Sequence, residues 1–315
     1  MKFISLFAGV GGFDLALTRL GHECVYANDI DKYCKIIYEK RFNHTLDNRS
    51  IKDVAEDEIP AHEILCGGFP CQSFSIAGKR RGFEDTRGTL FFDIARIARH
   101  HKPRILFLEN VKGLLSHDQG RTFKIIIATL TELGYDCQWQ VLNSKNFGVP
   151  QNRERVFIVG HIRGTRRPQV FPIEKTNKKD TRIIGQDVAY TIDANYHKGT
   201  NTLSKSRRSL VALTERRTEE AKRLRRLGVV KDTRSLKKLE PRTDGIANTV
   251  TTGDVKNQLL TDGVQIRRLT PIECERLQGF PNNWTESVSD TQRYKMMGNA
   301  VTVNVVYEIA KRLTT

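Results

Sequence analysis

Cys71 lies in the run Gly67-Gly68-Phe69-Pro70-Cys71-Gln72-Ser73-Phe74-Ser75, where a proline fixes the backbone just ahead of a thiol in a polar, glycine-bearing loop. Cys66 instead ends an apolar run, the usual setting of a structural cysteine. The setting of Cys71 is that of a nucleophile, and the reactive form is the thiolate. With a free pKa of about 8.5, only a few per cent of a thiol is ionised at neutral pH. Nearby cations would raise that fraction, and Arg153 and Arg155 of Gln151-Asn152-Arg153-Glu154-Arg155 are the candidates. Arginines at i and i+2 at the start of a strand project to one face, where they can hold a phosphate or order a carboxylate. Glu109 follows the apolar run ILFL. A carboxyl at a buried strand end has a raised pKa, which suits proton donation at neutral pH; a helix-capping acid is the plainer alternative.

A second group of residues points to a bound cofactor. The first apolar run ends in Phe7-Ala8-Gly9-Val10-Gly11-Gly12. Such a loop lets backbone N–H groups approach a ligand and opens a helix. A dinucleotide fingerprint would require glycine at position 14, where Asp14 stands, so NAD and FAD are disfavoured. Asp29 ends the second apolar run, where a carboxylate can accept hydrogen bonds from ribose hydroxyls. Loop and acid together fit either an adenosine-containing cofactor or a tight turn.

The elements that must position these residues are legible as alternation. FISLF (3–7), CVYAND (24–29), EILCGG (63–68), RILFLEN (104–110), CQWQVLN (137–143) and RVFIVG (155–160) read as strands, and DLALTRL and KYCKIIYEKRF as the first helices between them. Strand–helix alternation predicts an α/β fold: a mostly parallel sheet covered by helices on both faces, with ligands at the carboxyl ends of its strands. From about 166 to 265 the pattern turns to short polar segments rich in Arg, Lys, Thr and Asn. Residues 215–228 read there as an exposed basic helix ending at Gly228, and 241–254 as turns and short strands. Apolar helical character returns at 273–280 and 301–313. The expected organisation is a catalytic and cofactor domain over 1–165, a smaller basic recognition domain over 166–290, and a C-terminal segment, 291–315, that completes the first domain.

Composition narrows the partners. The 315 residues carry a net charge of +16, from 52 Lys plus Arg against 36 Asp plus Glu. Between Arg163 and Leu260 there are 23 Lys plus Arg against 11 Asp plus Glu, which concentrates +12 of that charge in under a third of the chain. A polyanion is the expected partner, although charge alone does not separate DNA, RNA and an anionic membrane, and a solvated basic surface is the plainer alternative. No apolar run approaches the length of a membrane span, and the N-terminus reads as a buried strand and not as a secretory signal. The six cysteines lie mostly in apolar segments without a C-x-x-C pair, so reduced thiols in a cytoplasmic protein are expected, with neither disulfides nor a structural zinc.

The motifs, taken in order, resemble those of the DNA cytosine-5 methyltransferases along nearly the whole chain. FAGVGG (7–12) is similar to that family's S-adenosylmethionine loop, GGFPCQSFS (67–75) to its catalytic-cysteine motif, ENV (109–111) to the motif of the glutamate that contacts cytosine, and QNRERVF (151–157) to its arginine motif. RRLTPIECERLQGFP (267–281) and GNAVTVNVV (298–306) resemble the two motifs after the target-recognition region. The resemblance implies a Rossmann-like class I S-adenosylmethionine-dependent fold, no metal, and double-stranded DNA held between two domains with the target cytosine flipped out. It implies Cys71, Glu109, Arg153 and Arg155 as catalytic residues, and Phe7, Gly9, Gly11, Asp29, Ile30, Ser50, Ile51, Pro70, Leu90, Asn299 and Val301 around the cofactor. Gln72 and Ser75 would line the base pocket or touch flanking phosphates. The charge of the basic stretch, which the resemblance does not cover, makes Arg225 and Arg226 the expected DNA contacts there.

Two positions depart from the family. Ser50 stands where an acid commonly accepts from the adenine amino group, and Ala77 where a relative carries serine. A tRNA-modifying branch shares these motifs but has a Cys-Phe-Thr tripeptide in its recognition region that this sequence lacks. A binding module on an inactive methylase scaffold is opposed by the intact chemical positions. A monomer is expected, with any cognate restriction endonuclease a separate protein.

Overall fold

The structure is a computed structural model that describes residues 1–70, 90–174 and 269–313 in full. It also describes the backbone of four strands at 211–217, 237–241, 258–261 and 265–268. The first part of the chain runs β1 (Lys2–Leu6), α1 (Gly12–Arg19), β2 (Glu23–Asn28), α2 (Lys32–Phe42), β3 (Ile64–Gly68), α3 (Leu90–His101), β4 (Ile105–Val111), α4 (Arg121–Glu132), β5 (Tyr135–Asn143) and β6 (Glu154–Ile162). The six strands form one sheet in the order β2-β1-β3-β4-β6-β5. β2, β1, β3 and β4 pair in parallel, whereas β6 runs antiparallel to both β4 and β5.

Period-two alternation sorts the strand residues onto two cores. Phe3, Ile64, Cys66, Ile105, Phe107, Phe157 and Val159 face one side. Ile4, Leu6, Leu65, Leu106, Leu108, Val156 and Ile158 face the other, against Ile94 and Ile97 of α3 and Ile126 and Leu130 of α4. The inner parallel strands β1, β3 and β4 are thus buried on both faces, as a doubly covered sheet requires, whereas the edge strand β2 is only partly covered.

Three helices follow near the C-terminus: α5 (Pro271–Leu277), α6 (Asp290–Asn299) and α7 (Val303–Ala310). α7 presents Val303, Val305, Val306 and Ile309 to the first core, beside Phe13 and Leu17 of α1. Val170, Phe171 and Ile173 belong to this core, as do Leu269, Cys274, Leu277, Phe280 and Trp284, so both flanks of the basic stretch are anchored on the sheet. A buried polar chain locks the C-terminal flank to the connection between β5 and β6. Thr302 Oγ1 donates to Gln278 Oε1 at 2.8 Å and lies 2.8 Å from Ser144 Oγ, while Gln278 Nε2 donates to the Met297 carbonyl and Gln151 Nε2 to that of Leu277, each at 2.7 Å.

A second, four-stranded antiparallel sheet is formed by β7 (Val211–Arg217), β8 (Lys237–Pro241), β9 (Gln258–Thr261) and β10 (Gln265–Arg268), in the order β10-β9-β7-β8. Glu215–Arg217 close strand β7 and do not begin a helix, because they continue the β-prone run Val-Ala-Leu-Thr and pair with Lys237–Leu239. Arg225 and Arg226 lie outside the described residues.

Asp14, the residue that argued against a dinucleotide motif, is fully buried. It accepts from Ser5 Oγ at 2.8 Å and Tyr38 Oη at 2.6 Å, which ties α1 to β1 and α2. Burial pushes its carboxyl above the ordinary aspartate range.

Candidate active site

The glycine loop after β1 turns sharply because Phe7, Gly9 and Gly11 all take left-handed backbone conformations, at φ 56°, 57° and 81°. Two of these positions make opposite demands. A Cβ on Gly11 would run into the Phe42 ring, whereas one on Gly9 would meet no heavy atom within 4 Å. Gly9 therefore borders an open cradle at the carboxyl end of β1. Gly11→Ala is expected to lose roughly 1–2 kcal/mol from left-handed strain alone, plus the cost of displacing Phe42, while Gly9→Ala bears only the strain. Paired urea titrations with an unchanged slope would show that difference as a lower midpoint for Gly11→Ala.

Asp29 is placed against this loop at the end of β2. Its Oδ2 accepts from Gly9 N and its Oδ1 from Asp31 N, both at 2.8 Å, and Asn48 Nδ2 donates to its carbonyl at 2.6 Å. Burial raises the Asp29 carboxyl, and the two backbone donors oppose that shift. Ile30, next to it, is 70% exposed, an uncovered apolar surface at the rim of the cradle. Ser50 caps a single 3₁₀ turn, Ile51–Asp53, and the Ile51 side chain is buried in the second core. Val301 is buried against α1, where a Cβ on Gly12 would lie 2.6 Å from Val301 Cγ1, and Asn299 ends α6 with its side chain exposed. Phe7, Gly9, Gly11, Asp29 and Val301 are thereby gathered round one loop. A left-handed glycine with open space before it, an acid and an exposed aliphatic side chain fit an adenosine-bearing cofactor.

The chemical end of the site is built from β3, β4 and β6. Gly67 and Gly68 close β3: a Cβ on Gly67 would sit 2.6 Å from the Leu6 carbonyl, where no larger residue fits, and one on Gly68 would crowd the Glu109 carboxyl, 3.0 Å from Oε2. Glu109 is buried and pairs with Arg155, whose Nε lies 3.0 Å from Oε1. Burial dominates and raises the Glu109 carboxyl, against the pull of Arg155 and Arg153. Arg153 is 2% exposed and donates to the carbonyls of Gly298 at 3.1 Å and Ala300 at 2.8 Å. Burial and the Arg155 charge pull it down to about 9, which leaves it protonated at neutral pH. The arginine pair thus divides its work. Arg155 orders the carboxylate, and Arg153 fastens the C-terminal segment to the sheet.

Asn110, to which the sequence alone assigns no role, donates through Nδ2 to the Phe69 carbonyl at 2.8 Å. It fixes the chain at the point where it departs for the cysteine loop. The available signal is its polarity at the end of an apolar strand. Pro70 is exposed and Leu90 partly buried, one on each side of that loop. Cys71, Gln72, Ser75 and Ala77 lie outside the described residues. Among the described residues, no group of three or more His, Cys, Asp or Glu is placed to hold a metal ion, and no helix is long and apolar enough to cross a membrane.

Six strands in this order, with a glycine loop after β1 and an acid after β2, define the class I methyltransferase fold. The comparisons with known proteins agree. The profile of the C-5 cytosine-specific DNA methylases matches residues 1–315. The type II methyltransferase M.HhaI of Haemophilus parahaemolyticus is 39% identical, over 98% of this chain and 93% of that protein. The type II methyltransferase M.HpaII of Haemophilus parainfluenzae is 37% identical, over 99% and 88%. The crystal structure of S. pombe Dnmt2 methyltransferase shares the fold at a TM-score of 0.68 and 18% identity, over 99% of this chain and 98% of that one. The chain belongs to the C-5 cytosine-specific DNA methylase family and is a DNA cytosine-5 methyltransferase.

Proposed function

We propose that the chain transfers a methyl group from S-adenosylmethionine to C5 of a cytosine flipped out of a specific duplex DNA sequence, through a covalent bond between Cys71 and C6. The observation that carries this reading is the buried Glu109, held by Arg155 at the end of β4 beside the backbone that leads into the cysteine loop. The cofactor supplies an electrophilic methyl group on a sulfonium sulfur. Phe7, Gly9, Gly11, Asp29, Ile30, Ser50, Ile51, Pro70, Leu90, Asn299 and Val301 would hold it, with Asp29 on the ribose. Ser50 can accept from the adenine amino group, but without charge assistance.

In the reaction the Cys71 thiolate adds to C6 while protonated Glu109 donates a hydrogen bond to N3, so electron density collects at C5. C5 would take the methyl group as the sulfonium S–CH3 bond breaks and S-adenosylhomocysteine leaves. C5 would then lose its proton to a base, and the Sγ–C6 bond would break to release 5-methylcytosine and the thiolate. Arg155 keeps Glu109 aimed at the base, and Arg153 holds the Gly298–Ala300 backbone that borders the cofactor. Gln72 and Ser75 would line the base pocket or touch the flanking phosphates.

Labelled cofactor with duplex DNA or tRNA tests the substrate. Label recovered as 5-methylcytosine in DNA supports the reading, and label confined to tRNA overturns it. Bisulfite sequencing of DNA from cells that express the protein would give the target sequence.

The basic stretch, drawn in sequence as a recognition domain over 166–290, is assigned to DNA, with its specificity read by side chains within roughly 180–260. Neutralising Arg225 and Arg226 together should weaken binding and flatten its salt dependence, by about 0.9 in log–log slope for each phosphate that is no longer neutralised. Unchanged affinity at low salt would place both arginines away from DNA. The enzyme acts as a cytoplasmic monomer in this reading, and any cognate restriction endonuclease is a separate protein.

A further inference from the structure

We propose that Arg96 is a positioning residue that sets the adenine-side wall of the cofactor site by clamping the turn that carries Ser50 and Ile51 onto α3. This deepens the cofactor reading above and rests on it. The turn is a lone 3₁₀ segment, Ile51–Asp53, with little to hold it. Its own backbone supplies one good bond, Asp53 N to the Ser50 carbonyl at 2.9 Å, and one long one, Val54 N to the Ile51 carbonyl at 3.4 Å.

Arg96 makes up the deficit from the neighbouring helix. Its Nη2 donates to the Ile51 carbonyl at 2.7 Å and its Nη1 to the Val54 carbonyl at 2.9 Å. Two donors of one planar fork grip both ends of the turn, which fixes its rotation as well as its distance. The fork is itself aimed by acids on both sides: Glu56 Oε1 lies 3.1 Å from Nη1 and Asp93 Oδ1 3.4 Å from Nε. The Arg96 side chain is 28% exposed, so these bonds are only partly screened by water.

The division of labour explains why orientation needs a dedicated residue. The buried Ile51 side chain packs in the same core as Ile94 and Ile97 of α3 and sets how deep the turn sits. Packing of an aliphatic group is non-directional, so it does not aim the Ser50 hydroxyl. Any bond from Ser50 to an adenine amino group is neutral and single, and it weakens steeply when misplaced. α3 begins at Leu90, another proposed cofactor contact, so Arg96 ties two parts of the same wall to one rigid helix. From the opposite side, Asn28 Nδ2 donates to the carbonyls of Asp47 and Arg49 and fixes the approach to the turn.

The test compares the full-length protein with Arg96→Met and Arg96→Lys, using calorimetric titration of S-adenosylhomocysteine alongside methylation kinetics. Loss of the fork should raise the Kd for S-adenosylhomocysteine about tenfold in Arg96→Met. Lysine keeps the charge but supplies a point donor in place of a fork, so Arg96→Lys should lie between, at about threefold. The kcat at saturating cofactor and the KM for DNA should stay within about twofold of the native values. A merely structural ion pair would lower the melting temperature and leave the Kd of the folded protein unchanged, and that result overturns the proposal. If Arg96→Met does not fold, Arg96→Lys decides by the same comparison. Native protein that fails to bind S-adenosylhomocysteine would instead defeat the cofactor reading.

Discussion

Exchange of Cys71 for serine is expected to reduce methyl transfer by roughly 10⁴-fold or more, because a hydroxyl is far harder to ionise than a thiol and the covalent route closes with it. Loss of activity alone would not separate a nucleophile from a residue that merely shapes the pocket, so the decisive readout is the adduct. Duplex DNA with 5-fluorocytosine at the target cannot lose its C5 substituent. The native protein should stop after methyl transfer as a complex that survives denaturing electrophoresis, with the mass of protein plus DNA. Cys71→Ser should give no such complex and still bind S-adenosylhomocysteine and DNA with native affinity. An undiminished adduct in Cys71→Ser, or none in the native protein, would remove Cys71 from the reaction. Retained binding matters because Pro70 and Leu90, which flank the cysteine loop, are proposed to touch the cofactor, so a distorted loop would weaken that affinity too.

How much of this is legible in the sequence differs by element. The inner strands β1, β3, β4 and β6 are readable because burial on both faces leaves nearly continuous apolar runs, the less covered edge strands β2 and β5 carry more polar ones, and each of the six predicted runs is a strand. Their directions are less so. β6 runs antiparallel between β4 and β5, yet side-chain periodicity is the same for either direction. Glu109 and Arg155 are readable as candidate site residues, and their ion pair is an instance of the arginine ordering a carboxylate. Arg153 is readable as important but not for its partners. It grips the carbonyls of Gly298 and Ala300, backbone groups that every sequence has everywhere and that leave no trace in composition. Arg96 is hidden for a related reason. In an amphipathic helix an arginine looks like part of a solvated face, and its targets are again main-chain oxygens. The start of the basic helix expected at 215 shows the opposite error, in which the charges of Glu215–Arg217 outweigh the β-prone residues that lead into them, while 218–228 lie outside the described residues.

Glu109→Gln is expected to cost roughly 10²–10³ in kcat, and the pH profile identifies the lost function. Burial raises the Glu109 carboxyl, so it keeps its proton to higher pH than an exposed glutamate. If the acid form stabilises the attacked cytosine through N3, kcat must fall as pH rises through that raised value. Glutamine donates at every pH, so Glu109→Gln should be slow and should lack this alkaline limb, while Glu109→Ala should be slower still. Arg155 supplies the sign test. Its cation, 3.0 Å from the carboxylate, favours the charged form and so opposes the shift. Arg155→Met should therefore move the alkaline limb to higher pH, even as kcat falls because the carboxyl is no longer aimed. A limb that moves to lower pH in Arg155→Met, or persists unchanged in Glu109→Gln, would mean that another group titrates and that Glu109 does not act as the acid. The two effects of Arg155 can be separated because aim changes the height of the profile, whereas charge changes its position on the pH axis.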